Sequence, residues 1–207
     1  MDFWNSIITE KSWKILQELQ KKQFHFILIG DWAAYLWTNL HKSNDIDIII
    51  PEFKDLEYLK KNYALKKNDA LKKYEIQFDE IDVDIYIPYY CRLIVPVEEI
   101  IKYTAKRENI TVVQPEMLLI LKQGAEADHE HSTKGLKDRI DILTLLCYVE
   151  IDFKKYHTLL QNNKLDHFFP RLQQIILEFT QIKYLNLNPR QWKLKKKEIM
   201  QKLRSSK

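Results

Sequence analysis

Short apolar runs and helical repeats of apolar residues alternate in the first half of the chain. The runs predict strands over residues 24–29, 43–50, 74–78, 81–87 and 110–113. Apolar residues spaced three and four apart predict helices over residues 6–22, 31–40, 52–67 and 96–106. The pattern therefore predicts an α/β (α+β) domain over residues 1–114.

The pattern becomes entirely helical from Pro115 onward. Apolar periodicity predicts helices that begin near residue 117 and cover residues 136–149, 153–160, 168–182 and 192–203. The segment 128–131, Asp-His-Glu-His, is expected to be an exposed connection between two helices rather than a metal site. The sequence thus predicts a second, helical domain over residues 115–207.

Two aspartates in the predicted strand 43–50 are the first candidate chemistry. Side chains two apart in a strand share a face, so Asp45 and Asp47 project together, while Ile46 and Ile48 project to the other face. Carboxylates beside so many isoleucines are costly without a cation between them. Two divalent ions about 3.5–4 Å apart would supply that charge and clamp a reacting phosphate.

A third carboxylate is expected from the strand 81–87. Asp82 and Asp84 lie on one face of it; Asp84 precedes an apolar and aromatic strand end, whereas Asp82 is near a turn and could simply be solvated. A single pattern of this kind, Asp-Ile-Asp at residues 45–47 or Asp-Val-Asp at 82–84, is weak evidence, because strands with one polar face produce it by chance. Two such patterns, with a glycine turn before the first, indicate a site.

Three segments of the sequence resemble motifs of the nucleotidyltransferase superfamily, which includes DNA polymerase beta and antibiotic-modifying enzymes. They are Ile-Gly-x-Trp-Ala at residues 29–33, Ser-x-Asp-Ile-Asp at 43–47 and Val-Asp-Ile at 83–85. The resemblance implies a mixed sheet with flanking helices and NMP transfer from an NTP with loss of pyrophosphate. It also implies two Mg²⁺ ions, with Mn²⁺ as the alternative, on these residues: Asp45, Asp47 and Asp84. Gly30 and Ser43 would contact the triphosphate, and Asp84 would accept the proton of the acceptor hydroxyl.

Residues 115–122 and 134–142 are similar to the helical half of the abortive-infection type nucleotidyltransferase toxins, the subfamily that the chain resembles most. This resemblance assigns Lys122 to the triphosphate, Lys137 and Asp138 to the nucleotide site, and Asp138 or Asp141 to polar support or a base. The alternative is that Lys122 is a surface lysine and that Lys137 and Asp138 form a solvated helix edge.

Asp31 departs from the superfamily pattern, which has a small residue after the glycine. An aspartate at a helix N-terminus is a good cap, but it occupies the place where an anion would bind. We therefore predict that Asp31 either turns away as a cap or lowers the affinity for NTP.

The charge of the chain is concentrated at its end. Net charge is +4, and residues 190–207 contain eight basic residues against a single acid, Glu198. A basic tail favours an RNA acceptor such as a tRNA end; the alternative is a solvated terminal helix. Three other readings stay open: a small hydroxylated acceptor, a catalytically silent nucleotide-binding or regulatory protein, and a toxin with a cognate antitoxin protein.

Two isolated cysteines, Cys91 and Cys147, have no CxxC spacing, which points to a reducing compartment and to no zinc site. No signal-peptide pattern and no long uncharged apolar run is apparent. The expected location is the cytoplasm, without a membrane partner.

Overall fold

The computed structural model describes residues 6–206 of the chain. Residues 1–5 of the predicted α/β domain and Lys207 of the predicted basic tail lie outside the described residues. The chain divides into two compact units, which are Met1–Gln114 (unit 1) and Pro115–Lys207 (unit 2).

Unit 1 contains a mixed sheet of seven strands with the order β3-β4-β5-β2-β1-β7-β6. The strands are β1 Ile27–Ile29, β2 Ile46–Ile49, β3 Lys66–Asn68, β4 Lys73–Phe78, β5 Ile81–Tyr86, β6 Thr104–Arg107 and β7 Ile110–Val113. The helices of this unit are α1 Ile7–Gln20, α2 Gly30–Thr38, α3 Phe53–Asn62 and α4 Val97–Ile100. This arrangement confirms the predicted mixed sheet with flanking helices.

The central strands pair in both directions. Strand β1 is antiparallel to β2 and parallel to β7, and β2 is parallel to β5. Strand β4 is antiparallel to both β3 and β5. Because β2 and β5 are parallel neighbours, side chains at the same register position lie next to each other on one face.

Two predicted helices of unit 1 were too long. The helix predicted over residues 52–67 ends at Asn62, and Lys66–Asn68 is strand β3. The helix predicted over residues 96–106 is only α4, and Thr104–Arg107 is strand β6. In both places pairing with a neighbouring strand overrides the local helical preference of residues such as lysine, alanine and arginine.

Unit 2 is helical, as predicted. Its helices are α5 Pro115–Asp128, α6 Thr133–Tyr148, α7 Phe153–Asn162, α8 Phe168–Glu178 and α9 Pro189–Ser205, with a 3₁₀ turn at Ile182–Leu185. The connection predicted at residues 128–131 does join two helices, since α5 ends at Asp128 and α6 begins at Thr133. In the part of the chain that the structure covers, no helix combines the length and apolar character needed to cross a membrane.

Polar side chains of α5 are buried and paired inside unit 2. Gln123 accepts a hydrogen bond from the Tyr156 hydroxyl and donates to the carbonyl of Phe168. Glu126 is fully buried and binds two guanidinium groups, at 2.7 Å from Arg139 Nε and 2.8 Å from the nearest nitrogen of Arg171. This pairing is what makes a buried charge tolerable.

Candidate functional site

Asp47 and Asp84 lie side by side on one face of the sheet in unit 1. Asp47 on β2 is in register with Asp84 on the parallel strand β5. Both are half-buried, while Ile46 and Ile48 on the opposite face of β2 are fully buried. Neighbouring strands are about 4.8 Å apart, so two carboxylates at one register position share one local environment.

Glu75 extends this row of carboxylates onto a third strand. It lies on β4 opposite Asp84, in antiparallel register. We call the face that carries Asp47, Asp84 and Glu75 the carboxylate face. Asp45 comes immediately before β2 and is exposed, and Asp82 on β5 is exposed as well.

Gly30 is fixed by the carboxylate of Asp47. It begins α2 with φ +66°, a left-handed conformation that favours glycine. A Cβ at this position would be 2.2 Å from Asp47 Oδ2 and 2.9 Å from Asp47 Cγ. Every other residue has a Cβ that would overlap the Asp47 carboxylate. Asp47 can therefore pack against the first turn of α2 only because residue 30 is glycine.

Asp31 follows Gly30 and contacts Ser43. The N-cap of α2 is Ile29, so Asp31 lies inside the first turn. The prediction that Asp31 caps this helix is therefore wrong. The Ser43 hydroxyl is 3.5 Å from Asp31 Oδ2 and accepts a hydrogen bond of 3.3 Å from the amide of Asp45. Ser43 is buried, and its hydroxyl connects Asp31 to the segment that carries Asp45.

Lys73 supplies a cation to the carboxylate face. Its Nζ is 2.6 Å from Asp84 Oδ2 and 3.1 Å from Glu75 Oε1. The Lys73 side chain is 15% exposed and that of Asp84 is 19% exposed, so water screens this pair only in part. Lys73 was not predicted from the sequence, because the strand predicted there begins at residue 74 and the observed strand begins at Lys73. The signal that could have found it is strand alternation, which puts residues 73 and 75 on one face.

Burial and charge act against each other at this pair. Burial raises the pKa of Asp84, the positive charge of Lys73 lowers it, and the net result is a pKa above the ordinary value. Burial also lowers the pKa of Lys73, but hydrogen bonds and attraction to Asp84 and Glu75 outweigh it, so this pKa is raised. Lys73 is therefore protonated at neutral pH, and Asp84 is a stronger base than an exposed aspartate.

Tyr86 ends β5 two residues after Asp84. Burial raises the pKa of its phenol strongly, and the negative charges of Asp47 and Asp84 raise it further. Tyr86 is therefore a neutral hydroxyl close to both carboxylates. Its proximity to them was not predicted from the sequence.

In unit 2, the predicted nucleotide residue Lys122 forms a buried ion cluster. Lys122 is 3% exposed, and its Nζ lies 2.6 Å from Asp141 Oδ2 and 3.3 Å from Asp138 Oδ1. His129 Nδ1 is 3.3 Å from the other oxygen of Asp138. Lys137 is half-exposed on α6. Lys122 is therefore not a surface lysine, and Asp138 is not on a solvated edge.

Similarity to known proteins is found at the level of the fold. No protein-family model matches the chain, and no curated protein matches its sequence. A solved structure described as a "putative nucleotidyltransferase" from H. pylori has 16% sequence identity and a TM-score of 0.56, over 98% of this chain and 99% of that one. JHP933 from Helicobacter pylori has 16% identity and a TM-score of 0.53, over 97% of this chain and 95% of that one. The chain therefore has the nucleotidyltransferase fold, as the sequence motifs predicted.

Proposed function

We propose that the chain is a metal-dependent nucleotidyltransferase that transfers NMP from an NTP to an acceptor hydroxyl and releases pyrophosphate. The observation that supports this best is the Asp47–Asp84 pair on adjacent parallel strands, against the glycine turn that opens α2. A glycine turn at a helix N-terminus offers amide donors to phosphate. Carboxylates next to such a turn are suited to hold a cation against the same phosphates.

The carboxylate oxygens fit a hard divalent cation. Asp45, Asp47 and Asp84 would hold Mg²⁺, or Mn²⁺ in its place, because these ions prefer oxygen ligands. The bound ion would neutralise charge on the triphosphate. A cation also offsets the cost of holding Asp47 and Asp84 half-buried next to each other.

Each chain residue then has a definite role in the proposed reaction. The amide of Gly30 and the hydroxyl of Ser43 would bind the triphosphate. The acceptor oxygen attacks the α-phosphorus, its proton passes to Asp84, and pyrophosphate leaves with the broken P–O bond. The raised pKa of Asp84 suits it to accept that proton. Positioning and charge neutralisation would supply most of the rate enhancement.

The experiment is incubation with each α-³²P-labelled NTP, Mg²⁺ and total RNA. We expect label on an acceptor with wild type and none with the Asp45→Ala/Asp47→Ala double variant. Asp84→Asn should lower the rate by at least about 100-fold. Asp82→Asn is the matched control, because it removes the same charge from the same face of β5 at an exposed position. Equal losses in the two variants would contradict the role of Asp84.

Asp31 is proposed to lower the affinity for NTP. Its carboxylate is in the first turn of α2 and contacts Ser43, so it brings negative charge to the expected triphosphate position. Asp31→Gly should bind NTP more tightly, measured by equilibrium dialysis. An unchanged affinity would show that Asp31 does not act on the nucleotide.

Lys122, Lys137 and Asp138 remain predicted nucleotide ligands. In the structure Lys122 neutralises Asp138 and Asp141, so a role at the triphosphate requires it to share or exchange these partners. Lys122→Met would raise the KM for NTP if the lysine binds nucleotide. A loss of stability at unchanged KM would assign it to the packing of unit 2.

For the acceptor we propose RNA, on the basis of helix α9. Arg190, Lys193, Lys197 and Arg204 are exposed, and their spacing puts them along one stripe of the helix, which we call the basic stripe. It runs for about 21 Å at 1.5 Å per residue. Most apolar residues of α9 are buried in unit 2, namely Trp192, Ile199, Met200 and Leu203, and Leu194 alone among its apolar residues is exposed. A single exposed leucine does not form an apolar face for a lipid surface. A line of positive charge without that face is suited to a phosphate backbone.

The chain offers a matched test of the basic stripe. Lys193→Gln/Lys197→Gln removes two charges from it, whereas Lys195→Gln/Lys202→Gln removes two charges that pair with Glu198 elsewhere on α9. The stripe variant should weaken RNA binding and flatten its salt dependence by about 1.4 log units per log unit of salt. Equal effects of both variants would indicate net charge rather than a binding face.

A second candidate function is nucleotide binding without turnover, as in a regulatory protein. The contact of Asp31 with Ser43 favours it, because it places an acid where the triphosphate is expected. Mg²⁺-dependent NTP binding without any labelled product would support this candidate. Label on a small hydroxylated molecule instead of RNA would support the antibiotic-modifying type. The toxin–antitoxin setting and its antitoxin partner stay predictions from the resemblance.

A further inference from the structure

A tight turn that follows β5 presents an aromatic side chain to solvent. The turn covers residues 87–91, and we call it the tyrosine turn. Tyr89 is its third residue, and 89% of its surface is exposed. Its backbone has φ +63°, a left-handed conformation that is unfavourable for a bulky residue. Neither burial nor backbone preference therefore explains a tyrosine at this position.

Hydrogen bonds fix the backbone of the tyrosine turn. The amide of Cys91 donates to the carbonyl of Ile87 at 3.2 Å, and the amide of Ile87 donates to Cys91 Sγ at 3.1 Å. The amide of Tyr89 donates to Glu98 Oε2 at 3.3 Å. Such over-determined, strained backbone is typical of functional sites. A tyrosine on a fixed backbone loses only two side-chain torsions when a partner stacks on its ring.

Two lysines of the β3–β4 hairpin lie beside the tyrosine turn. The centroid of the Tyr90 ring is 4.6 Å from Lys67 Nζ and 5.6 Å from Lys72 Nζ. Asp69 pairs with Lys67 at 2.8 Å, whereas Lys72 is exposed and forms no ion pair within residues 6–206. The ring of Tyr90 thus contacts cations of the chain itself. The neighbouring ring of Tyr89 makes no aromatic or cation–π contact with any described residue.

We propose that the tyrosine turn binds unpaired nucleotides of the RNA acceptor, with one base stacked on the ring of Tyr89 and a neighbouring phosphate at Lys72. This inference rests on the proposed function and adds where unit 1 holds the acceptor. Proteins recognise single-stranded RNA by stacking aromatic side chains on its bases while nearby cations contact its backbone. Tyr89 comes five residues after Asp84, so their Cα atoms are at most about 18 Å apart.

A lipid surface is the other partner that an exposed ring beside lysines could meet. Leu71 in the turn of the β3–β4 hairpin is exposed as well. Binding to lipid grows with the apolar area that inserts, and the charged residues Asp69 and Lys72 stand close to Leu71 on both sides in the chain. One exposed ring and one exposed leucine among charged groups therefore suit a nucleic acid better than a membrane.

The test is the affinity of the full-length chain for fluorescein-labelled oligouridylate, alone or paired with oligoadenylate, measured by fluorescence anisotropy in EDTA without NTP. Tyr89→Ala should bind the single strand about 5- to 150-fold more weakly, which is the effect of losing one base stack. Its affinity for the duplex should not change, because paired bases stack on each other. Tyr89→Phe keeps the ring and should bind like wild type. Lys72→Gln should flatten the salt dependence by about 0.7 log units per log unit of salt, whereas Tyr89→Ala should leave it unchanged.

Phe53→Ala is the matched control. Phe53 is also strongly exposed, and Lys60 Nζ lies 5.3 Å from the centroid of its ring, but it belongs to helix α3. This variant should bind RNA like wild type. Tyr89→Gly checks the fold, because glycine tolerates φ +63°. Its Tm should equal or exceed that of wild type, while its affinity for the single strand falls as in Tyr89→Ala. A lower Tm with unchanged affinity would show that Tyr89 serves the fold, and would overturn the inference.

The outcomes separate this inference from the proposed function. If Tyr89→Ala binds the single strand like wild type, the inference is wrong and the proposed transferase is unaffected. The same holds if Tyr89→Ala weakens single strand and duplex equally, or if Phe53→Ala causes the same loss. Absence of RNA binding by wild type would refute the RNA acceptor and with it this inference. Tyr89-dependent binding to phosphatidylserine vesicles without RNA binding would identify a lipid surface instead.

Discussion

Gly30→Ala tests whether the approach of Asp47 to the first turn of α2 shapes the site. Two costs add at this position. A residue with a Cβ at φ +66° costs about 1–2 kcal/mol relative to glycine. The new methyl group would also overlap Asp47 Oδ2, at 2.2 Å, and overpacking of this kind typically costs about 1–3 kcal/mol.

The expected loss of stability is therefore roughly 2–5 kcal/mol. For a chain of this size, at about 2–4 °C per kcal/mol, that corresponds to a decrease in Tm of about 4–20 °C, measured by circular dichroism. The Asp47 carboxylate must also move, so Mn²⁺ binding should weaken even at temperatures where the variant is fully folded. Binding is measured at such a temperature to separate the two effects.

A double-mutant cycle with Asp47→Ala separates the backbone cost from the overlap. Asp47→Ala removes the two side-chain atoms closest to the added methyl group, so Gly30→Ala should then cost only about 1–2 kcal/mol. The same cost in both backgrounds would refute the argument from close approach. Unchanged stability and unchanged Mn²⁺ binding in Gly30→Ala would refute both parts of the reasoning.

The remaining predictions concern unit 2. Glu126→Ala removes the buried carboxylate that pairs with Arg139 and Arg171, so it should lower the free energy of unfolding by about 3 kcal/mol, measured with urea. A loss below about 1 kcal/mol would contradict this. Gly135→Ala would bring a Cβ to 2.2 Å from the backbone oxygen of His129, so it should lower Tm, and an unchanged Tm would show that the turn adapts. Burial raises the pKa of Cys147 to about 12, so its thiol stays protonated at pH 8. Its alkylation by iodoacetamide should be far slower in the native protein than after denaturation, and equal rates would refute this.

Much of the fold was predictable because burial follows the apolar pattern. The strand Ile110–Val113 was predicted with its observed bounds, since apolar residues fill three of its four positions. Strand β6 was not, because the Glu108–Asn109 turn that joins it to β7 has positive φ at both residues without a glycine. Strand β3 has the lysine-rich composition of a helix surface, and only its partner β4 makes it a strand.

The candidate site was predictable only where its residues share a local pattern. Asp47 and Asp84 were found because each alternates with buried aliphatic residues on its own strand. Their direct pairing, and the place of Glu75 and Lys73 beside them, depend on the registers of β2, β4 and β5. A register is a property of two segments, so inspection of one segment at a time does not reveal it.

The strand order also fixes when the site can form during folding. Asp47 meets Asp84 only after β2 has paired in parallel with β5, and α3, β3 and β4 lie between them in the chain. The strand that precedes Gly30 is held on its other side by β7, through Leu28 and Val112. Such non-local pairings form slowly, because the chain loses the entropy of closing a long loop before the contacts between the strands can offset that loss. The carboxylate face is therefore expected to form late in folding. During synthesis, β1 next to Gly30 cannot pair with β7 until residues 110–113 have been made.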